Sequence, residues 1–549
     1  MMGAKMPSPH QRFFSMRNPF SRCVLFAVAL LMLLAVTWKS DRIEDVGSRI
    51  VQAASNHNNK GNIPQQPLGD APQATDRDIV PVSNHVMDCS INTTHMADLK
   101  TKYELSDTFQ YLKRYVKIHR EPIPRKSITK LGQSFLPTSF TTVDLQHPNT
   151  YGNENCIEPL QVPVPQSPFP ATGNLSDFMF GVSTTFKRFS SDRTSPVNEW
   201  TYWLTDGKGN SNGGKLVLLL LDATEDQILH AKTILHHAGI DVDVYHSDSS
   251  MEMAVRYLTL IPTLYNHPER HSKKWLVSCD DDTFFPSVHT LVKKFEAYDP
   301  EEMLYIGTLS EDVNNVDRHG SQAFGGAGVF LSVPMAGQIA KNYESCKTEE
   351  KIHESNSGWG PQGDILLRKC IYENTDVRLS VLHGLYQLDL YGDPSGFYES
   401  GVKPISLHHF KGGGWHSALP WQYTKIAHIC GEDCTLQRFL TSDNYIISTG
   451  FSVARYSLGI NFNLAQMERT FAAAPQDKGW NLDYVFDPQR PSLLKTGRKV
   501  SWDLQEASVN DDNTVSHVYV RKANDWRWVD RNGEPMFHTD GIIELVWVP

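Results

Sequence analysis

The run Lys215–Asp222, KLVLLLLD, constrains the fold more than any other segment. It is apolar without alternation, so as a strand it has no face to give to water. A strand buried on both faces needs a helix layer on each side, which means an α/β sheet. The neighbouring text agrees. FMFGVSTT (178–185), IDVDVY (240–245), WLVSC (275–279) and MLYIGTL (303–309) read as strands. TEDQILHAKTILHHAG (224–239) has helical periodicity and a glycine stop, and SVHTLVKKFEAY (287–298) is a second helix. Strands alternating with helices imply a mostly parallel sheet.

Asp280, Asp281 and Asp282 stand where the strand WLVSC should end. Adjacent carboxylates repel, and a hard divalent cation relieves that repulsion by taking their oxygens at roughly 2.0–2.6 Å. In open α/β sheets ligands sit just beyond the carboxyl ends of strands. A structural Ca²⁺ domain is a rival reading, but the spaced oxygen ligands of an EF-hand are missing. So are G-x-G-x-x-G and Walker A.

At 549 residues the chain exceeds one ordinary domain, and its net charge of -10 excludes a general nucleic-acid binder. The apolar run Cys23–Trp38 spans about 24 Å as a helix, a short anchor suited to a thin early-secretory membrane. Lys5, Arg12, Arg17 and Arg22 precede it with no acid among them, while acids and bases mix after it. The positive-inside rule makes residues 1–22 a cytoplasmic tail, 23–38 a single signal anchor and the remainder lumenal. A cleaved signal peptide is the rival, but the Trp38-Lys39 exit lacks a small-x-small site. Residues 39–85, poor in large apolar side chains, read as a flexible stem. Residues 86–174 read as an irregular, proline-rich lead-in, 175–440 as the catalytic domain, and 441–549 as a small β-rich addition. The last rests on the alternation in RKVSWDLQ, HVYVRKA, WRWVD and IIELVWV.

An oxidising lumen favours cysteine pairing. Cys430 with Cys434 closes a tight loop, Cys346 with Cys370 joins successive helices, and Cys89 with Cys156 ties the lead-in, leaving Cys279 unpaired. Sequence does not fix this connectivity, and His428 beside Cys430 and Cys434 leaves a zinc site as an alternative. Asn92 and Asn174 head glycosylation sequons.

The order FMFGVSTT, WLVSCDDDTFF, YIGTLSE, QAFGGAGVFLS, GWGPQGDILLRKC and PISLHHF resembles the Fringe-like β1,3-glycosyltransferases of glycosyltransferase family 31. It is most similar to their "domain of unknown function 604" branch of fungal and plant type, over residues 175 to about 470. The resemblance implies a GT-A fold, a single-pass type II Golgi membrane protein, a UDP-sugar donor, Mn²⁺, and inverting transfer to a glycan or glycoconjugate hydroxyl. Carried onto this chain, Asp282 is a direct metal ligand, with Asp280 beside it. Asp280 and Asp281 face the nucleotide or the metal's waters, and Arg188 is placed to meet the diphosphate. A late histidine is a further ligand, His408 in SLHHF, with His409 as the open alternative. Asp364 is the general base, although Pro361–Asp364 also reads as the first turn of a helix, where an acid is favoured by the dipole. Gly325, Gly326, Ala327, Gly328 and Trp359 are expected to border the acceptor sugar. Gly412–Gly414 with Trp415 and His416 read as a mobile lid. A non-catalytic sugar-binding or chaperone-like relative of the same fold is the alternative. The donor sugar, the acceptor and the oligomeric state are not legible.

Overall fold

The computed structural model describes residues 87–147, 156–472 and 483–549. The chain divides between Ile79 and Val80, and everything described lies in the second unit. The expected tail, anchor and stem lie outside the described residues. Among the described residues, no helix is long and apolar enough to cross a membrane.

The first sheet has seven strands. In spatial order they are Ser380–Val381, Tyr305–Gly307, Val329–Ser332, Trp275–Cys279, Phe178–Thr185, Lys215–Leu221 and Asp241–His246. Val329–Ser332 runs antiparallel to both neighbours, and the remaining pairings are parallel. The fold is therefore α/β with a mixed, mostly parallel sheet. Lys215–Leu220 is buried throughout, as its unbroken apolar text requires. The helix Glu225–His237 begins with a reciprocal Thr224–Gln227 capping box.

The second sheet corrects two expectations. It has ten strands, and the lead-in supplies four of them: Thr108–Glu121, Ile128–Lys130, Thr141–Asp144 and Leu160–Pro165. The 14-residue strand Thr108–Glu121 pairs in parallel with the C-terminal strand Asp540–Val548, Phe109 opposite Asp540 and Lys117 opposite Val548. The lead-in is thus not irregular. Its Phe109 and Tyr111 are covered by Met96, Leu99 and Val143 of the lead-in together with Val518, Val520 and Ile542 from the far end of the chain. Pro163 and Pro165 are tolerated because Leu160–Pro165 lies off the main strand path, where a missing N–H costs no ladder bond. The C-terminal region is β-rich as expected, but it is part of this larger sheet rather than a small addition. One apolar core runs through both sheets, from Phe178 and Trp203 to Trp502 and Trp547. WRWVD is not a strand: Asp525 Oδ1 accepts from Arg527 N at 3.0 Å and closes a turn.

The structure joins Cys89–Cys156, Cys346–Cys370 and Cys430–Cys434, and leaves Cys279 free and buried. Asn92 and Asn174 are exposed, and Asn92 caps the helix Thr93–Tyr103.

Candidate metal and sugar-transfer site

The strand Trp275–Cys279 is buried along its length and stops one residue before the acids. Its parallel neighbour Phe178–Thr185 ends at the same sheet edge. Asp281 therefore meets Thr184 Oγ1 and Arg188, whose Nε donates to Asp281 Oδ2 at 2.7 Å. Asp281 is buried and faces these partners, not the cation cluster. Arg188 is held by Asp281, with 47% of its side chain still exposed.

Asp280 and Asp282 turn toward His408. Its Nε2 lies 3.3 Å from Asp280 Oδ2 and 3.1 Å from Asp282 Oδ1. The segments meet through a two-way backbone bridge, Phe284 N to Leu407 O and Leu407 N to Phe284 O, both 2.9 Å. Thr283 Oγ1 accepts from Asp280 N at 2.9 Å and donates to Gly326 O at 2.7 Å, fixing the acid turn against the glycine loop. His408 Nδ1 lies 3.1 Å from the Gln387 carbonyl. A carbonyl only accepts, so Nδ1 carries the hydrogen and Nε2 is the atom left facing two carboxylates. Three ligand atoms from Asp280, Asp282 and His408 lie within 4.8 Å of one another.

That arrangement needs a positive charge at its centre. Burial alone would lower the His408 pKa, but the Asp282 and Asp280 carboxylates override it and hold it well above the usual imidazole value. Burial would likewise raise Asp282, and His408 brings it down instead. A proton on Nε2 satisfies the triad, and so does a divalent cation with mixed oxygen and imidazole ligands. The donor set fits a metal such as Mn²⁺. His409 is not part of this cluster. It stacks on Trp415 with ring centroids 4.3 Å apart, and its Nδ1 lies 2.9 Å from buried Asp389. The other candidate cluster among the described residues, Asp243, His267 and Glu269, is already filled by the Lys215 ammonium, 2.9 Å from Asp243 and 2.6 Å from Glu269.

Asp364 opens the helix Gly363–Asn374, and its Oδ1 accepts from Ile365 N at 2.9 Å. The helix start favours the carboxylate, but burial outweighs it. With the negative charges of Asp280 and Asp389 added, the pKa is pushed up to about 7. That poises the group for proton transfer near neutrality.

The glycine loop holds a correction. Gly325, Gly326, Ala327 and Gly328 are buried, and their bareness makes room for protein rather than for sugar. A Cβ on Gly326 would lie 2.1 Å from the His408 ring, and one on Gly325 2.6 Å from Tyr257 Oη. Tyr257, on the helix Met253–Tyr265, also fills the space beside Gly363, where a Cβ would come within 2.4 Å of it. In the segment expected to be a lid, Gly413 and Gly414 are exposed with open space around them, but the two side chains that follow are packed. His416 is buried against Phe471, and Trp415 lies between His409 and Tyr391. Sequence reasoning missed Tyr257, Gln387 and Ser406. Gln387 Oε1 accepts from Ala327 N at 2.9 Å, and Ser406 Oγ donates to Ala327 O at 2.7 Å. No motif marks them, because two act through backbone partners and the third by packing.

Residues 314–414 match the model of DUF604, a protein family of unknown function. This stretch contains the glycine loop, Trp359, Asp364 and His408, and the acid triplet lies before it. No curated protein matches the chain. Among the solved structures that resemble it weakly are three sugar transferases. Mouse xyloside xylosyltransferase 1 in its apo form is 9% identical with a TM-score of 0.26, covering 37% of this chain and 85% of that one. The galactosyltransferase LgtC, in complex with donor and acceptor sugar analogues, is 9% identical at 0.28, covering 40% and 77%. The mannosyltransferase PcManGT from Pyrobaculum calidifontis, in complex with GDP-Man and Mn²⁺, is 12% identical at 0.23, covering 43% and 64%. Likenesses at these scores carry no argument about this chain.

Proposed function

We propose that the chain is a metal-dependent glycosyltransferase of GT-A type, moving a sugar from a UDP-sugar to a glycan or glycoconjugate hydroxyl with inversion. The observation that carries this reading is His408 Nε2 facing Asp280 and Asp282 at the carboxyl end of a central parallel strand. Asp280, Asp282 and His408 would hold Mn²⁺, which when bound neutralises charge on a leaving diphosphate. Gln387 fixes the His408 tautomer through its carbonyl. Thr283 and the Phe284–Leu407 bridge fix the two segments relative to each other. Asp281 aims Arg188, whose remaining donors suit phosphate oxygens. Asp364 takes the proton from the acceptor hydroxyl, the single base that an inverting displacement needs.

A Fringe-like β1,3 linkage and a Golgi type II location belong to the same proposal. The charge asymmetry around Cys23–Trp38 and the three disulfides support the location. The test is hydrolysis of a panel of UDP-sugars by the purified full chain with and without Mn²⁺, beside Asp282→Asn and Asp364→Asn. Mn²⁺-dependent release of UDP from one donor, abolished in Asp282→Asn, is the expected result. Absence of both hydrolysis and metal-dependent UDP binding would overturn the reading.

A further inference from the structure

Trp359 is 64% exposed, among the most exposed large apolar side chains described. A lone exposed aromatic needs no explanation, but this one is displayed. Asn356 Oδ1 accepts from Gly358 N at 2.8 Å and Gly360 N at 3.1 Å, and Asn356 bridges Pro361. Gly358 and Gly360 both have φ +98°, a conformation open to glycine, and neither has another group within 4 Å of an added Cβ. The ring is held out by a closed turn with bare backbone on either side. The Arg318 guanidinium sits 4.7 Å from its centroid. Arg318 has no hydrogen-bond or ion-pair partner among the described residues, so its N–H edges remain available.

The two residues come from elements that flank Asp364. Arg318 lies on the helix Val313–His319, whose Asn315 Nδ2 donates to Asp389 at 3.0 Å. Trp359 lies on the turn that runs into the base helix, tied to it by Gln362 N donating to Ser355 O at 3.0 Å. Trp359 and Asp364 are five positions apart, at most about 18 Å of fully extended chain. A few sugar units cover that span.

We propose that Trp359 and Arg318 form an acceptor subsite for a β-linked hexopyranosyl oligosaccharide, binding a unit beyond the one that reacts. This rests on the glycosyltransferase reading. A β-hexopyranose presents a face of axial C–H bonds that lies flat on an indole, and an extended β-linked chain keeps that face open along its length. The guanidinium edge donates to ring-substituent hydroxyls.

The test uses the purified full chain with UDP and Mn²⁺, probed by saturation-transfer NMR. The probes are laminaritetraose, cellotetraose and β1,4-galactotetraose, with maltotetraose as the α-linked control. At least one β-linked probe should bind with saturation on its axial protons. Trp359→Ala should weaken it about tenfold, the size of a lost aromatic contact. Trp359→Phe should keep most of the affinity, and all variants should keep UDP binding. Intact UDP binding with no β-linked probe bound, or with equal binding by Trp359→Ala, overturns the subsite and leaves the proposed function standing. Loss of UDP binding in the wild-type chain overturns the function itself, and the subsite with it.

Discussion

At Gly326 the protein has no space for a methyl group, because the imidazole of His408 already occupies it. Gly326→Ala should displace His408 from Asp280 and Asp282 and cut metal-dependent UDP binding about 10–100-fold, as loss of a ligand-orienting contact does. Isothermal titration with Mn²⁺ and UDP checks this, and unchanged affinity would mean that His408 is not a ligand. Asp364 gives a pH signature. If, as proposed, its ionised form is the base, its pKa, raised to about 7, means that transfer should rise with pH through that value and level off above it. A rate already flat from pH 5 to 8 would argue against Asp364 as the base. The acid triplet was legible as carboxylates at a strand end, whereas Asp364 and His408 came from the family resemblance, because an acid at a helix start also reads as a cap and a histidine pair at a strand end is commonplace. Tyr257 was not legible, since a tyrosine on an apolar helix face carries no mark of what it packs between. The glycine loop was legible as a close approach, but not what approaches it.

The elements that carry the site are short and stapled. The base helix Gly363–Asn374 packs on the helix Val333–Cys346 through Ile339, Leu366, Leu367 and Ile371, and Cys346–Cys370 joins their far ends across a separation of 24 residues. Closing a loop of that size stabilises by about 3 kcal/mol in the chain-entropy view. Cys346→Ser with Cys370→Ser should lower unfolding free energy by about that amount in a denaturant titration, and a loss under about 1 kcal/mol would show that packing alone holds the helices. In the seven-stranded sheet Lys215–Leu221 was readable because both-face burial leaves an unbroken apolar run, whereas the short strands Val329–Ser332 and Ser380–Val381 carry no such signal. The Gly412–Gly414 segment misled because glycine reads as freedom, whereas its neighbours Trp415 and His416 are pinned by ring packing that only tertiary structure reveals.

At the scale of the whole molecule the second sheet joins sequence ends more than 400 residues apart, since Phe109 pairs with Asp540. Single-sequence periodicity is blind to such a pairing. The alternating aromatic and β-branched residues of TFQYLKRYVKIH signal a strand, but their partner lies at the opposite terminus. The consequence is a domain boundary in a different place from the change of texture near residue 175. A chain beginning at 175 would lose Thr108–Glu121 and leave Asp540–Val548 as a bare edge, with buried Ile542, Ile543, Leu545 and Trp547 losing cover. Such an edge invites pairing between molecules. A chain of residues 175–549 should therefore aggregate, whereas 87–549 keeps the strand and the Cys89–Cys156 disulfide and should remain monodisperse and bind UDP with Mn²⁺. Size-exclusion chromatography with UDP titration decides it. A soluble, UDP-binding 175–549 fragment would mean that the seven-stranded sheet stands alone and the ten-stranded sheet is dispensable. Failure of 175–549 beside success of 87–549 would make the N-terminal strands part of the catalytic unit.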